Sequence, residues 1–426
     1  MPTKKKHKAE EFFDIVIVGG GMVGVSMLRA LAGLPYRIAF IEAVSYQNDV
    51  QPSFDDRIIA LSQSSARIFQ NLSLWQDIAN DSCPIRHIHV SDKGRFGVTR
   101  INADDYGLDA LGYVATAKQL GAVLIKNLTR QKNLSVFQPA QVLALESRDD
   151  GYQLQVQTQD TILDTTPDKS GAGNLLKLNC SLLIAADGDN STIRDLAGIA
   201  VTRVAYQQNA IVANLQCELD HQNVAYERFT RSGPLALLPM GEKTMGLVWT
   251  HAKENVEKRM ALSDSAFCQQ LQGEFGRRLG ELHSLGKRIQ FPLNLSYPES
   301  PVARRLILLG NAAHTLHPVA GQGFNLGMRD VAVLAQLLAE AAERKQDPGA
   351  DTVLQRYAKW REPDHKTIIR FTHSLVLGFS NALAPLTVAR GVGLVVADLV
   401  TPLKRYLATT SMGLQTPQPQ LMLQAE

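Results

Sequence analysis

Apolar runs that end on glycine set the frame of this chain. Phe12 to Val18 is apolar apart from Asp14, as expected of a parallel strand buried on both faces. Helix-forming residues follow from Met22 to Ala32, Gly33 supplies a stop, and Tyr36 to Ile41 makes a second apolar strand that ends at Glu42. The spacing predicts a βαβ unit. Further on, Phe54 to Leu61 leads into a helical pattern through Trp75, Ile85 to Thr99 reads as strands, and Tyr113 to Leu128 reads as a helix. Val136 to Leu145, Tyr152 to Thr158 and Leu175 to Ile184 are strand-like, with the polar stretch Asp164 to Asn174 as a hairpin tip or insertion.

The second half begins with a cluster of short strands at Ile211 to Leu219, Ala225 to Phe229, Pro234 to Met240 and Met245 to Thr250. Clustering of this kind after a βαβ start predicts a second, largely antiparallel sheet, whose residues Phe229, Leu235, Leu237, Leu238, Pro239, Met240 and Trp249 serve as plain core or wall an apolar pocket. A helix around Asp264 to Phe275 and a strand around Ile289 to Leu295 come next. Leu306 to Leu309 is a further apolar strand, running into Gly310-Asn311, then His314, His317 and Pro318, then Gly321-Gln322-Gly323 at the mouth of a helix reaching about Glu343. Asp351 to Trp360 is helical and Pro363 interrupts it. Leu375 to Leu407 is rich in Leu, Val, Ala and Gly. It reads either as a helix packed on the domain or as one that docks on a membrane surface or partner.

Composition changes this picture little. At 426 residues, 45% hydrophobic and 20% charged, the chain has the make-up of a soluble globular enzyme with two interwoven domains. The net charge of +3 and a basic run confined to Lys4-Lys5-Lys6 and Lys8 argue against a nucleic acid partner. Cys83, Cys180, Cys217 and Cys268 form no CxxC pair, so they read as buried apolar residues of a reducing compartment. No signal peptide and no stretch of ~18 uninterrupted apolar residues is visible, which predicts a cytoplasmic protein.

The chemistry concentrates at three strand ends. Gly19-Gly20-Gly21-Met22-Val23-Gly24 satisfies GxGxxG. Gly19 permits the tight turn, Gly21 lets backbone approach a pyrophosphate, Gly24 lets helix and strand pack closely, and Glu42 accepts from a ribose diol. In this context the pattern points to a dinucleotide without separating FAD from NAD. Asp187-Gly188 stands at the carboxyl end of a buried strand, where open α/β sheets bind ligands. Gly310 through Gly323 makes an anion and cofactor cradle at a helix mouth, through unpaired N–H groups and the helix dipole. Asp55, Asp56 and Arg57 read locally as a surface ion pair, with Arg57 also able to present its planar fork to phosphate. His314 and His317 are weak candidates for a base. As a metal site, two histidines on a glycine loop without carboxylate or cysteine support are poor, so no metal is expected.

Three motifs in this order, over roughly Phe12 to Met412, resemble the class A flavoprotein monooxygenases, the fold group of p-hydroxybenzoate hydroxylase. Within it the chain is similar to the aromatic-ring hydroxylases of ubiquinone biosynthesis, through FDDRIIALS from Phe54, RFTRSGPLALLPM from Arg228, GNAAHTLHPVAGQGFNLGMRD from Gly310 and APLTVARGVGL from Ala384. GPLALLPM together with Asn311 is most like the subfamily that hydroxylates ring carbon 4, whose sisters act on other carbons and usually carry Asp where Asn311 stands.

The resemblance implies an α/β fold: a Rossmann-like FAD-binding domain (11–84, 175–200 and 300–365) interleaved with a mixed or antiparallel-sheet substrate domain (85–174 and 201–299). A C-terminal helical segment (366–412) and flexible tails (1–10 and 413–426) complete it. FAD would be held by Gly19, Gly21, Gly24 and Glu42 at the ADP half, and by Asp187 and Gly188 near the pyrophosphate. Gly310 and Asn311 would face the ribityl chain, and Pro318, Gly321, Gln322, Gly323 and Asn325 the isoalloxazine. Arg57 would lie near the flavin or the incoming nicotinamide, and Lys118 would keep the charge of a helix where the family often has Glu-Asn-Arg. Thr116 and Ala117 depart from that pattern. NAD(P)H would reduce the flavin, O₂ would add as a C4a-hydroperoxide, and the ring of a polyprenyl phenol would attack it. The resemblance leaves the base that takes the phenol proton unassigned. It also implies partner enzymes of ubiquinone biosynthesis and peripheral contact with the inner face of the membrane through the C-terminal helices. Competing expectations are a non-catalytic prenyl-lipid binding protein on the same fold and an NAD-dependent dehydrogenase, the latter disfavoured by the second and third motifs.

Overall fold

The computed structural model describes residues 11–46, 53–158, 174–380, 384–415 and 417–424. The tail 1–10 and all of the polar insertion but Asn174 lie outside them.

Strand Glu11–Val18 is flanked in parallel by Ile38–Ile41 and by Asn174–Ala185, and Leu134–Phe137 and Leu306–Leu308 extend the parallel order outward. Phe13, Ile15, Val16 and Ile17 have no exposed surface, which is why this strand reads as a run and not as an alternation. The hairpin Ala140–Arg148 and Gly151–Thr158 adds to Asn174–Ala185 in antiparallel fashion. This corrects the expected boundaries, which placed all of 85–174 in the substrate domain, since the strands between 134 and 158 belong to the nucleotide sheet. The reason is backbone pairing of Leu134–Phe137 with Ile38–Ile41 and of the hairpin with Asn174–Ala185, which leaves no local mark in the sequence. Leading from the first strand, the chain turns to one side for Ile38–Ile41, whereas the neighbour on the other side arrives from far along the chain. That reversal opens a crevice beyond the carboxyl end of Glu11–Val18.

The second sheet runs in the order Leu282–His283, Val201–Cys217, Thr244–Ala252, Gly233–Gly241, Val224–Thr230, His87–Asp92, Val98–Asn102, with Ile289–Pro298 also paired to Val201–Cys217. Its strands are antiparallel except where Val224–Thr230 lies parallel to His87–Asp92. A small third sheet joins Ile58–Ser62, Gly112–Thr116 and Cys83–Ile85. The helix expected from Tyr113 therefore begins later, at Ala117, because Tyr113 to Thr116 pair with Ile58 to Leu61. Thr116 is the N-cap of that helix, closing a reciprocal capping box with Gln119, which gives the departure from the family pattern a structural role.

Helix Asp351–Ser380 continues through Pro363 instead of stopping there. The ring removes one backbone donor, but the residues on either side are anchored in the interior, Arg361 and Asp364 by buried ion pairs and His365 by a hydrogen bond to Asp330. Ala384–Leu399 and Thr401–Met412 complete the C-terminal helices. The segment after Met412, expected to be a flexible tail, instead packs across its described residues. Met422 is buried in the core between the nucleotide sheet and helix Gln322–Glu343, Asn71 donates to the carbonyls of Leu421 and Leu423, and the Trp360 indole donates to Pro417. Apolar anchors spaced among polar residues concealed this from a composition argument.

Candidate functional site

The carboxyl ends of four parallel strands deliver the chemistry-bearing residues to one edge. Val18 leads to Gly19, Ile41 to Glu42, Ala185 to Asp187, and Leu308 to Gly310 and Asn311, and the register places Val18 beside both Ile41 and Ala185. These residues line one cleft of about 1220 Å³. Its far end is an apolar chamber between the second sheet, the mouth of helix Gln322–Glu343 and the C-terminal helices.

At the nucleotide end, the Gly19 turn has φ +105°, and a Cβ there would collide with the Ala186 carbonyl. The Glu42 carboxylate accepts from Gly20 N–H and from Val44 N–H (2.8 Å), while its own backbone is clamped between Phe137 and Ala140. Tyr46 donates to the Gly20 carbonyl at 2.9 Å. Ala140, Gln141 and Val142 also line this end. They come from the strand that the sequence assigned elsewhere. Asp187 accepts from Ile193 N–H at 3.1 Å through Oδ2, and its buried Oδ1 has no partner among the described residues. Burial pushes its carboxyl up against the pull of hydrogen bonds from Ser191 and Ile193. A glycine turn with room for a diphosphate, an acid at the second strand end and an unpartnered buried carboxyl oxygen together fit a dinucleotide.

Beyond lie Pro318, Gly321 and Gly323 on the wall, the last with open space where a Cβ would stand. Arg57 also lines the cleft, paired to Asp55 at 2.7 Å and set over the Phe291 ring at 5.2 Å. Four expected site residues do not face the cleft. Gly24 is a packing position, where a Cβ would overlap the Gly19 carbonyl oxygen. Lys118 is exposed at a helix start, its backbone bonded to Asp55. Gln322 donates to the Ser411 carbonyl, linking the helix mouth to the last long helix. Asn325 binds Ser62 N–H, the Ala60 carbonyl and the Gly321 carbonyl, and so positions two wall residues instead of being one.

Neither histidine lines the cleft. His317 is buried with its Nδ1 accepting from Val319 N–H at 3.2 Å, and burial lowers it to about 4, so it is a poor proton acceptor. His314 faces the other way and binds Asp330 Oδ2 at 2.8 Å. Asp330 Oδ1 takes the Arg361 guanidinium (2.5 Å) and His365 (2.7 Å), and Asp364 takes Arg361 and Arg329 at 2.6 and 2.7 Å. Burial would raise both acids, but their partners win: Asp330 lies well below the carboxylate range and Asp364 at about 2. Burial also lowers His365 despite Asp330, so the permanent cation on Asp330 is Arg361. His314, Asp330 and His365 thus supply the carboxylate support that the local sequence lacked for a metal. Arg361 already occupies the carboxylate as its cation.

One chamber residue escaped the sequence reading. Glu227 projects into the apolar part of the cleft from strand Val224–Thr230, on the same face as Ala225 and Phe229. An acid in the i, i+2 alternation of an otherwise apolar strand face was the available signal.

The comparisons agree with this geometry. The FAD binding domain family matches residues 13–372. A ubiquinone hydroxylase, UbiL, of Rhodospirillum rubrum is 33% identical over 95% of this chain and 90% of its own length. The 3-demethoxyubiquinol 3-hydroxylase of Escherichia coli is 31% identical over 94% of this chain and 98% of its own length. Among solved structures, p-nitrophenol 4-monooxygenase PnpA from Pseudomonas putida superposes with a TM-score of 0.75 at 16% identity, covering 96% of this chain and 100% of that one. At that identity the likeness speaks for the fold alone.

Proposed function

The chain belongs to the FAD-dependent monooxygenases of the ubiquinone-hydroxylase family, and from that premise we propose that it hydroxylates a polyprenyl-methoxyphenol at ring carbon 4, with NAD(P)H and O₂ as co-substrates. The observation that carries the reading is the continuity of the cleft, whose polar end suits a dinucleotide and whose apolar chamber suits a prenylated ring. Bound there, FAD supplies the oxygen-activating chemistry. The chain's own residues then have separable tasks. Gly19 to Gly21, Glu42 and Asp187 hold the nucleotide, Gly310 and Asn311 meet the ribityl chain, and Pro318, Gly321 and Gly323 wall the ring system. Asn325 fixes that wall through Ala60 and Gly321, Arg57 provides a cation near the flavin, and the apolar chamber excludes water from the reacting ring.

Carbon 4 is supported by the strand Gly233–Gly241, which carries GPLALLPM, together with Asn311. The Escherichia coli relative, named for a 3-hydroxylase, favours another carbon as the second reading. Deletion of the gene followed by mass spectrometry of the accumulated lipid decides between them. We expect a methoxylated prenylphenol with a free position 4. An accumulated phenol lacking the methoxyl, or one already oxygenated at carbon 4, would sink that assignment.

The substrate's tail requires access to lipid. Among the described residues no helix is long and apolar enough to cross a membrane. The outer side of the last two helices nevertheless exposes Val392, Val396, Leu399, Val400, Leu403 and Tyr406, with Leu399 74% exposed, while Leu394, Ala397 and Leu407 of the same helices line the chamber. Contact of this outer face with a bilayer would bring the chamber to the lipid. Changing Leu399 and Tyr406 to Asp should cut co-sedimentation with anionic vesicles severalfold and leave flavin content unchanged. Equal sedimentation of variant and parent would remove the docking face.

A further inference from the structure

The chamber wall carries a row of residues in cross-strand register. Thr99 pairs with Val90, Val90 with Glu227, Glu227 with Ala236, and Ala236 with Val248. All five line the cleft, so they stand on one face of the sheet. Glu227 is the middle member. Thr99 is already committed, donating to the Leu394 carbonyl at 2.8 Å, and the remaining three are aliphatic. Among the described residues, no hydrogen bond or ion pair engages the Glu227 carboxyl. An acid in such a wall is costly unless a ligand meets it.

Resting on the monooxygenase reading above, we propose that Glu227 meets the phenolic hydroxyl of the substrate, orients the ring, and accepts its proton. The O–H bond breaks, the proton goes to a Glu227 carboxylate oxygen, and the electron pair left on the phenolic oxygen moves into the ring. The reacting carbon bonds to one atom of O₂ as the O–O bond breaks, its hydrogen then leaves as a proton to the other oxygen atom, which departs as water, the ring becomes aromatic again, and Glu227 returns its proton to the phenolic oxygen. The carboxyl ends as it began. Burial alone raises it to about 7, so it can both take and return a proton at neutral pH. Among the described residues its titratable neighbours on the cleft are few. Glu42 and Asp187 sit at the nucleotide end, Arg57 is paired with Asp55, and Tyr226 is on the same strand. Arg228 turns to the opposite side, donating to the Glu274 carbonyl. Among their described residues, the helices facing the row contribute Phe371, Leu375, Leu394, Ala397 and Leu407, none of them titratable.

The test uses the FAD-loaded full chain with an alkylated methoxyphenol. Glu227→Gln keeps the shape and removes the base, whereas Glu227→Asp keeps the base on a shorter stem. We expect Glu227→Gln to retain flavin and to lose hydroxylated product by about 10²-fold or more, as for a general base. The acidic limb of its kcat/KM profile should vanish, and Glu227→Asp should restore the limb. A second readout needs no turnover. Bound 4-nitrophenol reports its own ionisation by colour, and with the anionic neighbour gone it should ionise at lower pH in Glu227→Gln than in the parent. An unchanged pH profile or an unchanged nitrophenol titration overturns the proposal. If the parent holds FAD yet hydroxylates no methoxyphenol, the substrate reading itself fails, and the proposal with it. An active parent with an equally active Glu227→Gln overturns the proposal alone.

Discussion

Asp330→Ala is expected to destabilise the protein by about 3–5 kcal/mol, because it strips a buried guanidinium of its counter-ion. Asp330 is fully buried, and its two oxygens are shared among Arg361, His365 and His314. Removing it leaves the Arg361 charge with Asp364 alone, and Asp364 also serves Arg329. Asp330→Asn, which keeps one acceptor but no charge, should fall between. The pH dependence has a definite sign. Both acids are depressed in the folded state, so their stabilisation is complete above the unfolded carboxylate value of about 4. It is lost as pH falls through the folded values, about 2 for Asp364. The gap between parent and Asp330→Asn in denaturant midpoint should therefore be full at neutral pH and shrink below about pH 4. A gap that persisted unchanged to pH 2 would contradict the ionised pair.

Gly24→Val is expected to empty the flavin site. A Cβ at Gly24 would lie within the Gly19 carbonyl oxygen and press on the Ala186 side chain. Gly19 cannot retreat, since it is held at positive φ against Ala186. The first helix must then move off its strand, at about 1–3 kcal/mol for overpacking of this kind, and it carries the glycine turn with it. Flavin retained after desalting, read from absorbance per mole of protein, should fall at least tenfold. The Glu227 variants should keep theirs. Full flavin content in Gly24→Val would mean that the turn tolerates a displaced helix.

Much of the nucleotide end was legible in the chain because its determinants are local. GxGxxG, Glu42, Asp187 and Asn311 each follow an apolar strand, and each strand ends where its neighbours end. The C-terminal helices and the second sheet were also readable from periodicity and clustering. What the chain hid was pairing between distant segments. Ala140 to Val142 reach the nucleotide end because Leu134–Phe137 lies beside Ile38–Ile41 and Ala140 N–H donates to the Glu42 carbonyl. His314 and His317 looked alike on one loop, yet one faces Asp330 and the other a backbone amide. Lys118 stands exposed because the helix it opens follows directly on a strand. Glu227 was passed over because a single acid in an apolar strand acquires meaning only when the strands beside it turn the same face to the cleft.

The docked C-terminal segment bears on how the protein is made. Gly19 and Asp187 are synthesised well before Gly310 to Phe324, which close the same cleft. Met422, which caps the core behind them, is made later still. Pairings across such distances fold slowly and wait for the later partner. Until Leu306–Leu308 has been made, Leu183 to Ala185 have no strand to pair with on that side of the sheet.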